Sequence, residues 1–381
     1  MKNAILRRGR LLLLALVLLV TFAAPACRPA EGDVSGDLVD LGIPLLAQYS
    51  NDAEHLIRAR VAWDSIFFDG AFYVGCGDYD SNMGPVKVWR YDPDLGAWEA
   101  SAETLEDEHI KRFTVLDGTL TIPGTDPRGD WSHGSFYTLE GGAWAEHAVL
   151  PSGIHCFDAV SFEGAQFFAL GVNSGDWPVV RSTDGATYEP VPFLRDGVPV
   201  DTDLPIVRVH NFVVAGGVLY AFLTLGDESA ATLDVYRYED GAFLYHAAAP
   251  EVYLRSYDAA YTGEFAGLAT FINGYCYYYS EDMASFRPCR VGMSDLATDM
   301  TVVGDTLYAL AYTKLEDGFE SAVYASKDGK TFEKLFFFVD EIPANSFAYG
   351  DGAFYFSMGR YYDGDSAEVG RVYALAYELA P

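Results

Sequence analysis

The sequence predicts an all-β fold, a seven-bladed β-propeller whose ring is closed by an N-terminal strand. Three observations predict it. A glycine-centred hairpin signature recurs seven times, at intervals of roughly 47 residues, which is the length of a four-stranded propeller blade. A second hairpin follows the first in most copies. The chain also carries 26 Tyr, 25 Phe and 6 Trp among 381 residues, so strand-forming aromatics are available to fill a core over most of its length. Formal charge is -30, from 25 basic and 55 acidic residues, which argues against nucleic acid phosphates or an anionic membrane face as partners.

The first element is an export signal over residues 1–26. Lys2, Arg7, Arg8 and Arg10 precede Leu11 to Val20, a run without a polar side chain. At about 1.5 Å per helical residue, that run is too short to cross a hydrocarbon layer of roughly 30 Å. Ala24-Pro25-Ala26-Cys27 then resembles the lipobox of bacterial lipoproteins, although Pro25 departs from the usual small residue. The resemblance implies that Cys27 is cleaved and lipidated, so that the protein is lipid-anchored to the cell envelope and meets the membrane only through that anchor. The same tripeptide satisfies ordinary signal cleavage, and the alternative is a freely secreted or periplasmic chain. Residues 27–36 form the anchor and tether, and residues 37–381 the propeller, expected as a monomer.

Within the propeller the anchors read FFDGAFYV at Gly70, VLDGTLTI at Gly118, SFEGAQFF at Gly164, VAGGVLYA at Gly217, AYTGEFAG at Gly263, VVGDTLYA at Asp305 and AYGDGAFYF at Gly352. Each joins two apolar strands through a turn that needs positive φ. Segments such as VWRYDPDLGAWEA and VYRYEDGAFLYH supply the third and fourth strands. The last copy ends near RVYALAYELAP and lacks a fourth strand, so Leu38 to Ala47 is expected to pair beside Arg371 to Tyr377 and cover that edge.

Two outer turns, Ser182 to Tyr188 and Ser326 to Phe332, resemble the Asp boxes of sialidase-type (BNR repeat) propellers, with Ser280 to Phe286 a weaker copy. The resemblance implies a structural role, in which Asp184 and Asp328 fold back to accept backbone N–H groups. No early Arg-Ile-Pro segment is present, so no sialidase active site is carried over.

Six residues before each anchor stand Asp64, Arg112, Asp158, Asn211, Tyr257, Asp299 and Ser346, polar or phenolic residues in otherwise apolar inner strands. They are expected to fringe the axial opening, either as a hydrated rim or as a ligand site in which Asp64, Arg112, Asp158, Asn211 and Asp299 contact the ligand. His109, His155 and His210 lie within a few residues. Trp131 and Trp177 follow Gly-Asp in neighbouring repeats and suit sugar stacking, protein contact or loop cover. Asp78, Asp80 and Asn82, with Asp363 and Asp365 in the blade expected beside them, approximate an oxygen-rich calcium loop, the one cofactor suggested. Cys276 and Cys289 flank a symmetric run and are expected opposite each other as a disulfide.

No nucleophile elbow, phosphate-cradling loop, zinc pair or cofactor motif occurs. The sequence therefore reads as an exported binding protein for a glycan or an envelope protein. The alternatives are a glycoside hydrolase or lyase acting at the channel mouth, and an envelope assembly scaffold.

Overall fold

The computed structural model describes residues 32–78, 80–128, 132–151, 153–172, 175–227, 232–249, 261–273, 276–294, 296–360 and 366–379. Cys27 and the export signal, Trp131, Tyr257, Asp363 and Asp365 lie outside them. Among the described residues, no helix is long and apolar enough to cross a membrane.

The fold is all-β and forms a propeller-like ring. Among the described residues, five antiparallel sheets have four strands each, and a sixth has ten. The first in sequence runs through Asp64–Phe68, Ala71–Gly75, Trp89–Asp92 and Ala97–Ala100. Its tight turn stands at Asp69 and Gly70, both with positive φ, where no Cβ contact limits glycine and the left-handed backbone alone selects it.

The ten-stranded sheet spans two copies of the repeat. Ala165–Val172 extends past Val179–Ser182, and its free end pairs with the inner strand of the following copy at Gly171↔Arg208 and Val172↔Val207. The hairpin of Phe193–Arg195 and Val198–Pro199 then adds in parallel beside Ala242–Ala248, with Arg195 stacked 3.9 Å over Tyr245 and paired to Asp234 at 3.2 Å. It covers what would otherwise be an open sheet edge.

Val39–Gly42 pairs with Val372–Ala376 at Val39↔Ala374 and Asp40↔Tyr373, beside Ala353–Met358 and Ala344–Gly350. The charge pair of Arg371 with Asp40 locks this addition.

Aromatic cores join each sheet to the next around the ring. Phe136 meets Phe168 at 4.7 Å, Phe222 meets Phe271 at 6.2 Å, Phe336 meets Phe354 at 5.6 Å, and Phe72 stacks on Tyr355 at 5.0 Å. Each such side chain removed from water contributes roughly 1.5–3 kcal/mol. Sheets approach so closely that a Cβ on Gly350 would lie 2.0 Å from Phe67.

Two expectations shift by register. In the repeat anchored at Gly263 the tight turn falls at Ala266 and Gly267, with Phe265 facing Leu268, while Gly263 sits at a bulge after Tyr261. Counting back from the true turn moves the inner position from Tyr257 to Tyr261. Cys289 faces Tyr277 rather than Cys276, and both thiols are free. The hairpin centres on Met283 alone, whose positive φ adds one residue to the turn and sends the two thiols to opposite faces.

The three outer turns share one geometry. Asp184 accepts N–H bonds from Ala186 and Thr187 at 2.8 and 2.7 Å, Asp328 from Lys330 and Thr331 at 2.8 and 2.7 Å, and Asp282 from Ala284 and Ser285 at 2.9 and 2.7 Å. These bonds hold the Asp184 and Asp328 carboxyls down at about 2.

Candidate functional site

The connections from the fourth strand of one repeat to the first of the next share a face with the loops joining second to third strands. The inner strands open onto this face, and a bulge near the start of several of them re-aims a polar side chain toward the neighbouring sheet. Register breaks between Cys156 and Asp158, Ala297 and Asp299, and Ala344 and Ser346 mark those places.

Three aspartates do the same thing there. Asp64 accepts the N–H of its own successor Ser65 at 2.8 Å and that of Phe113 in the next inner strand region at 2.7 Å. Asp158 takes Ala159 at 3.0 Å and Phe212 at 2.8 Å, and Asp299 takes Met300 at 2.8 Å and Phe347 at 2.9 Å. Arg112 forms an ion pair with Asp158 at 2.9 Å. Ser346 donates to Asp299 at 2.9 Å and meets the Ser65 hydroxyl at 2.6 Å, while Asn345 donates to the Ala62 carbonyl at 2.7 Å. Asn211 is buried directly before Phe212. Asp64, Arg112, Asp158 and Asp299 thus belong to one girdle tying neighbouring sheets together, and each of the three carboxylates accepts from two backbone donors. Burial raises the Asp64 and Asp299 carboxyls, and for Asp299 the nearby Asp64 charge raises it further.

A second constellation stands beside the girdle on the same face. His109, on the connection following Ala97–Ala100, meets Trp63 edge-on at 5.6 Å, and the Trp63 indole donates to the Gly77 carbonyl at 2.8 Å. His155 stacks on Phe157 at 5.4 Å, and Phe157 lies 4.8 Å from His210. Lys111 and Arg208 complete the group. Burial, followed by the charge of Lys111, pushes both His109 and His210 down to about 3, so both are neutral at ordinary pH. Burial also lowers Arg208, with Asp126 opposing it. Glu108 is pushed up to about 7, first by burial and then by the Asp126 charge.

Beneath this group Asp107 is 1% exposed and accepts the Asp126 N–H at 2.6 Å. Its carboxyl is pushed up to about 8, chiefly by burial, with the Asp126 N–H opposing the rise. A Cβ on Gly124 would lie 2.5 Å from the Ser135 hydroxyl and 3.0 Å from the second Asp107 oxygen, so only glycine fits there. The Asp107 cluster fixes the backbone that carries Thr125 and Asp126.

Of the remaining expected site residues, Asp78 adjoins this group through its N–H bond to the Glu108 carbonyl at 3.2 Å. The Asp78 carboxylate turns into its own loop, accepting the N–H groups of Asp80 and Ser81 at 3.0 and 3.3 Å, and the Asn82 side-chain oxygen accepts from Arg128 at 2.9 Å. The first two bonds hold the loop to itself and the third ties it to the next repeat, and among the described residues no group of three His, Cys, Asp or Glu could hold a metal ion. Trp177 is half-buried and packs on the core instead of offering an exposed platform. Sequence reading placed the three histidines near the opening but missed Lys111, Arg208, Asp126 and Asp107. The one available signal was a set of charged residues in or beside inner strands that otherwise read apolar.

No family model matches the chain, and no curated protein matches it. Among solved structures the chain is similar to PorZ, an essential bacterial surface component of the type-IX secretion system of Porphyromonas gingivalis, with a TM-score of 0.50 and 12% identity over 82% of this chain and 46% of that one. It therefore spans less than half of PorZ. It is also similar to an ulvan lyase of polysaccharide lyase family PL25 (TM-score 0.48, 14% identity, 82% of this chain and 91% of that one) and to the polysaccharide lyase Uly1 (TM-score 0.44, 10% identity, 82% and 89%). At such identities the likeness concerns the fold alone.

Proposed function

We propose that the protein is an exported seven-bladed propeller, lipid-anchored through Cys27 to the cell envelope, that binds an anionic glycan at the axial face. The ten-stranded sheet counts as two blades, and the strand Val39–Gly42 completes the last one. One observation carries the binding reading. On a chain of net charge -30, Lys111, Arg208 and three histidines gather within electrostatic reach of one another on the face where the inner strands open. Acidic proteins repel anions in general, so the two cations, Lys111 and Arg208, mark a place on that face where an anion is favoured. Neutral His109 and His210 add uncharged donors and acceptors suited to sugar hydroxyls, and Trp63 lies against His109.

The test is retention of the mature protein on polygalacturonate, on a sulfated polysaccharide and on neutral amylose. Retention by the two anionic polymers alone is expected, whereas equal retention on all three, or on none, contradicts the reading. Protein partners from the envelope would show as retention on neither class of polymer.

A second reading is cleavage of that glycan, and it rests on the pairing of neutral imidazoles with cationic side chains. Such a pairing can neutralise a substrate carboxylate and move a proton beside it. The same mixtures, followed for new reducing ends and for the ultraviolet absorbance of unsaturated ends, separate cleavage from binding.

A further inference from the structure

His155 sits differently from its two fellow histidines. Its Nδ1 lies 2.7 Å from the Thr125 carbonyl oxygen and 3.4 Å from Oδ1 of Asp126. A carbonyl oxygen only accepts, so Nδ1 must carry the hydrogen, and the neutral ring then holds its lone pair on Nε2. Among the described residues, Nε2 has no hydrogen-bond partner. The ring is held on its face by Phe157, with an interplanar angle of 20°. On its edge, Gly171 leaves the necessary room: a Cβ there would stand 3.1 Å from Cδ2, the carbon bonded to Nε2. The cradle is stiff because the Asp126 backbone is tied down by Asp107 at 2.6 Å.

We infer that His155 is the proton-accepting group of this cluster, taking up a proton at Nε2 when an anion docks beside Lys111 and Arg208. This rests on the anion-binding reading above and deepens it. The charged and titratable groups facing His155 are Asp126, Arg208, His109 and His210, and Lys111 acts on the last two. In the free protein, burial and the Arg208 charge disfavour imidazolium, while Asp126 and Thr125 favour it. An anion beside Arg208 offsets the guanidinium field, leaving Asp126 to stabilise the protonated ring. The balance is simple: one proton leaves solvent and binds Nε2, no covalent bond breaks, and the docked anion gains one more positive partner. Linkage then requires affinity for the anion to rise as pH falls from the midpoint of His155 in the complex to its lower midpoint in the free protein, by up to about tenfold per pH unit within that window. Asp126 acts here as a positioning residue, through the ring it orients.

The experiment is nitrogen-15 NMR of the full mature protein labelled at histidine, with His155 assigned by loss of its signals in His155→Gln. Free of ligand, the His155 pattern is expected to be that of the Nδ1–H tautomer. An Nε2–H pattern would overturn the inference whatever the protein binds. Adding oligogalacturonate is expected to raise the protonation midpoint of His155 by a pH unit or about that much. An unmoved midpoint while the oligosaccharide binds would also overturn it. Failure of the oligosaccharide and of a sulfated counterpart to bind overturns the anion-site reading and the proton uptake together, and leaves the tautomer as the separate result. Asp126→Asn should lower the midpoint without moving the melting temperature, while the Thr125 carbonyl keeps the Nδ1–H tautomer; an unmoved midpoint would remove the role of Asp126.

Discussion

The carboxylate of Asp158 leaves its own strand to accept the backbone N–H of Phe212, 2.8 Å away in the next inner strand, while Arg112 from the preceding repeat pairs with its other oxygen at 2.9 Å. Three consecutive repeats are thereby joined through one side chain. Asp64 to Phe113 and Asp299 to Phe347 repeat the contact elsewhere around the axis. Each time the donor is a phenylalanine that follows a polar residue, Arg112, Asn211 or Ser346, so one device both aligns adjacent sheets and satisfies backbone groups where the inner strands start.

Asp158→Ala should therefore be a stability variant before it is a binding variant. It removes the side-chain oxygens that accept from two backbone N–H groups and the carboxylate facing a largely buried arginine, for a loss of about 3–5 kcal/mol in urea unfolding. A variant that unfolds like the parent yet fails to bind ligand would instead assign Asp158 to the ligand.

Asp107 gives a pH dependence of definite sign. Its carboxyl titrates near 8 in the folded chain, above its unfolded value of about 3.9, so the folded state holds a proton that the unfolded state has released. The stability this contributes is present at low pH and is lost as pH rises through the folded value, at no more than about 1.4 kcal/mol per pH unit. Below about pH 6.5 the depressed His109 and His210 act in the opposite sense, so the decline should emerge between about 6.5 and 8. Asp107→Asn, which imitates the protonated acid, should gain on the parent by up to about 1.4 kcal/mol per pH unit between pH 6 and 8 and keep that lead at pH 9. Parallel curves for the two proteins would refute this assignment.

Gly350 tests the packing between the last sheet and the first. Its φ is ordinary, and glycine is required only because a Cβ would lie 2.0 Å from Phe67, which itself stacks on Tyr355 at 5.6 Å. Gly350→Ala should cost about 1–3 kcal/mol by overpacking, read as a lower denaturation midpoint. Adding Phe67→Leu should restore part of it, and no loss in the single variant would contradict the close approach.

The outer turns make an opposite prediction in acid. Asp328 is held near 2 by backbone N–H bonds, so its contribution is present above the unfolded carboxylate value and disappears as pH falls through the folded one. Asp328→Asn keeps an oxygen for Lys330 and Thr331 and should be mild at neutral pH, with a weaker acid-induced decline. Asp328→Ala should lower the melting temperature at neutral pH. Equal behaviour of both variants with the parent would take the structural role away from this carboxylate.

Much of the ring was legible because a tight turn leaves a mark in sequence: Asp69-Gly70 and Gly216-Gly217 require positive φ, and their spacing counts the repeats. The same mark misled at Gly263, where a bulge glycine with positive φ imitated a turn four residues early. The Cys276 and Cys289 register was lost to one extra turn residue, which no symmetry of the sequence reveals. At the axis, polar residues in apolar strands were visible, but their commitment to neighbouring backbone was not, since it depends on bulges that point them sideways. Arg208 and Lys111 were illegible because a lone cation beside apolar residues resembles any strand end until two other repeats bring histidines to it.

Calorimetric titration of oligogalacturonate into the mature protein, Arg208→Ala and Lys327→Ala tests the central claim most directly. Lys327 lies on a turn joining third and fourth strands, on the opposite face, paired with Asp305 at 2.5 Å. The predicted result is a loss of about tenfold or more in affinity for Arg208→Ala, roughly 1.4 kcal/mol, with Lys327→Ala binding like the parent. Equal affinity in all three proteins would show that the axial group of Lys111, Arg208 and the histidines is not where the anion binds.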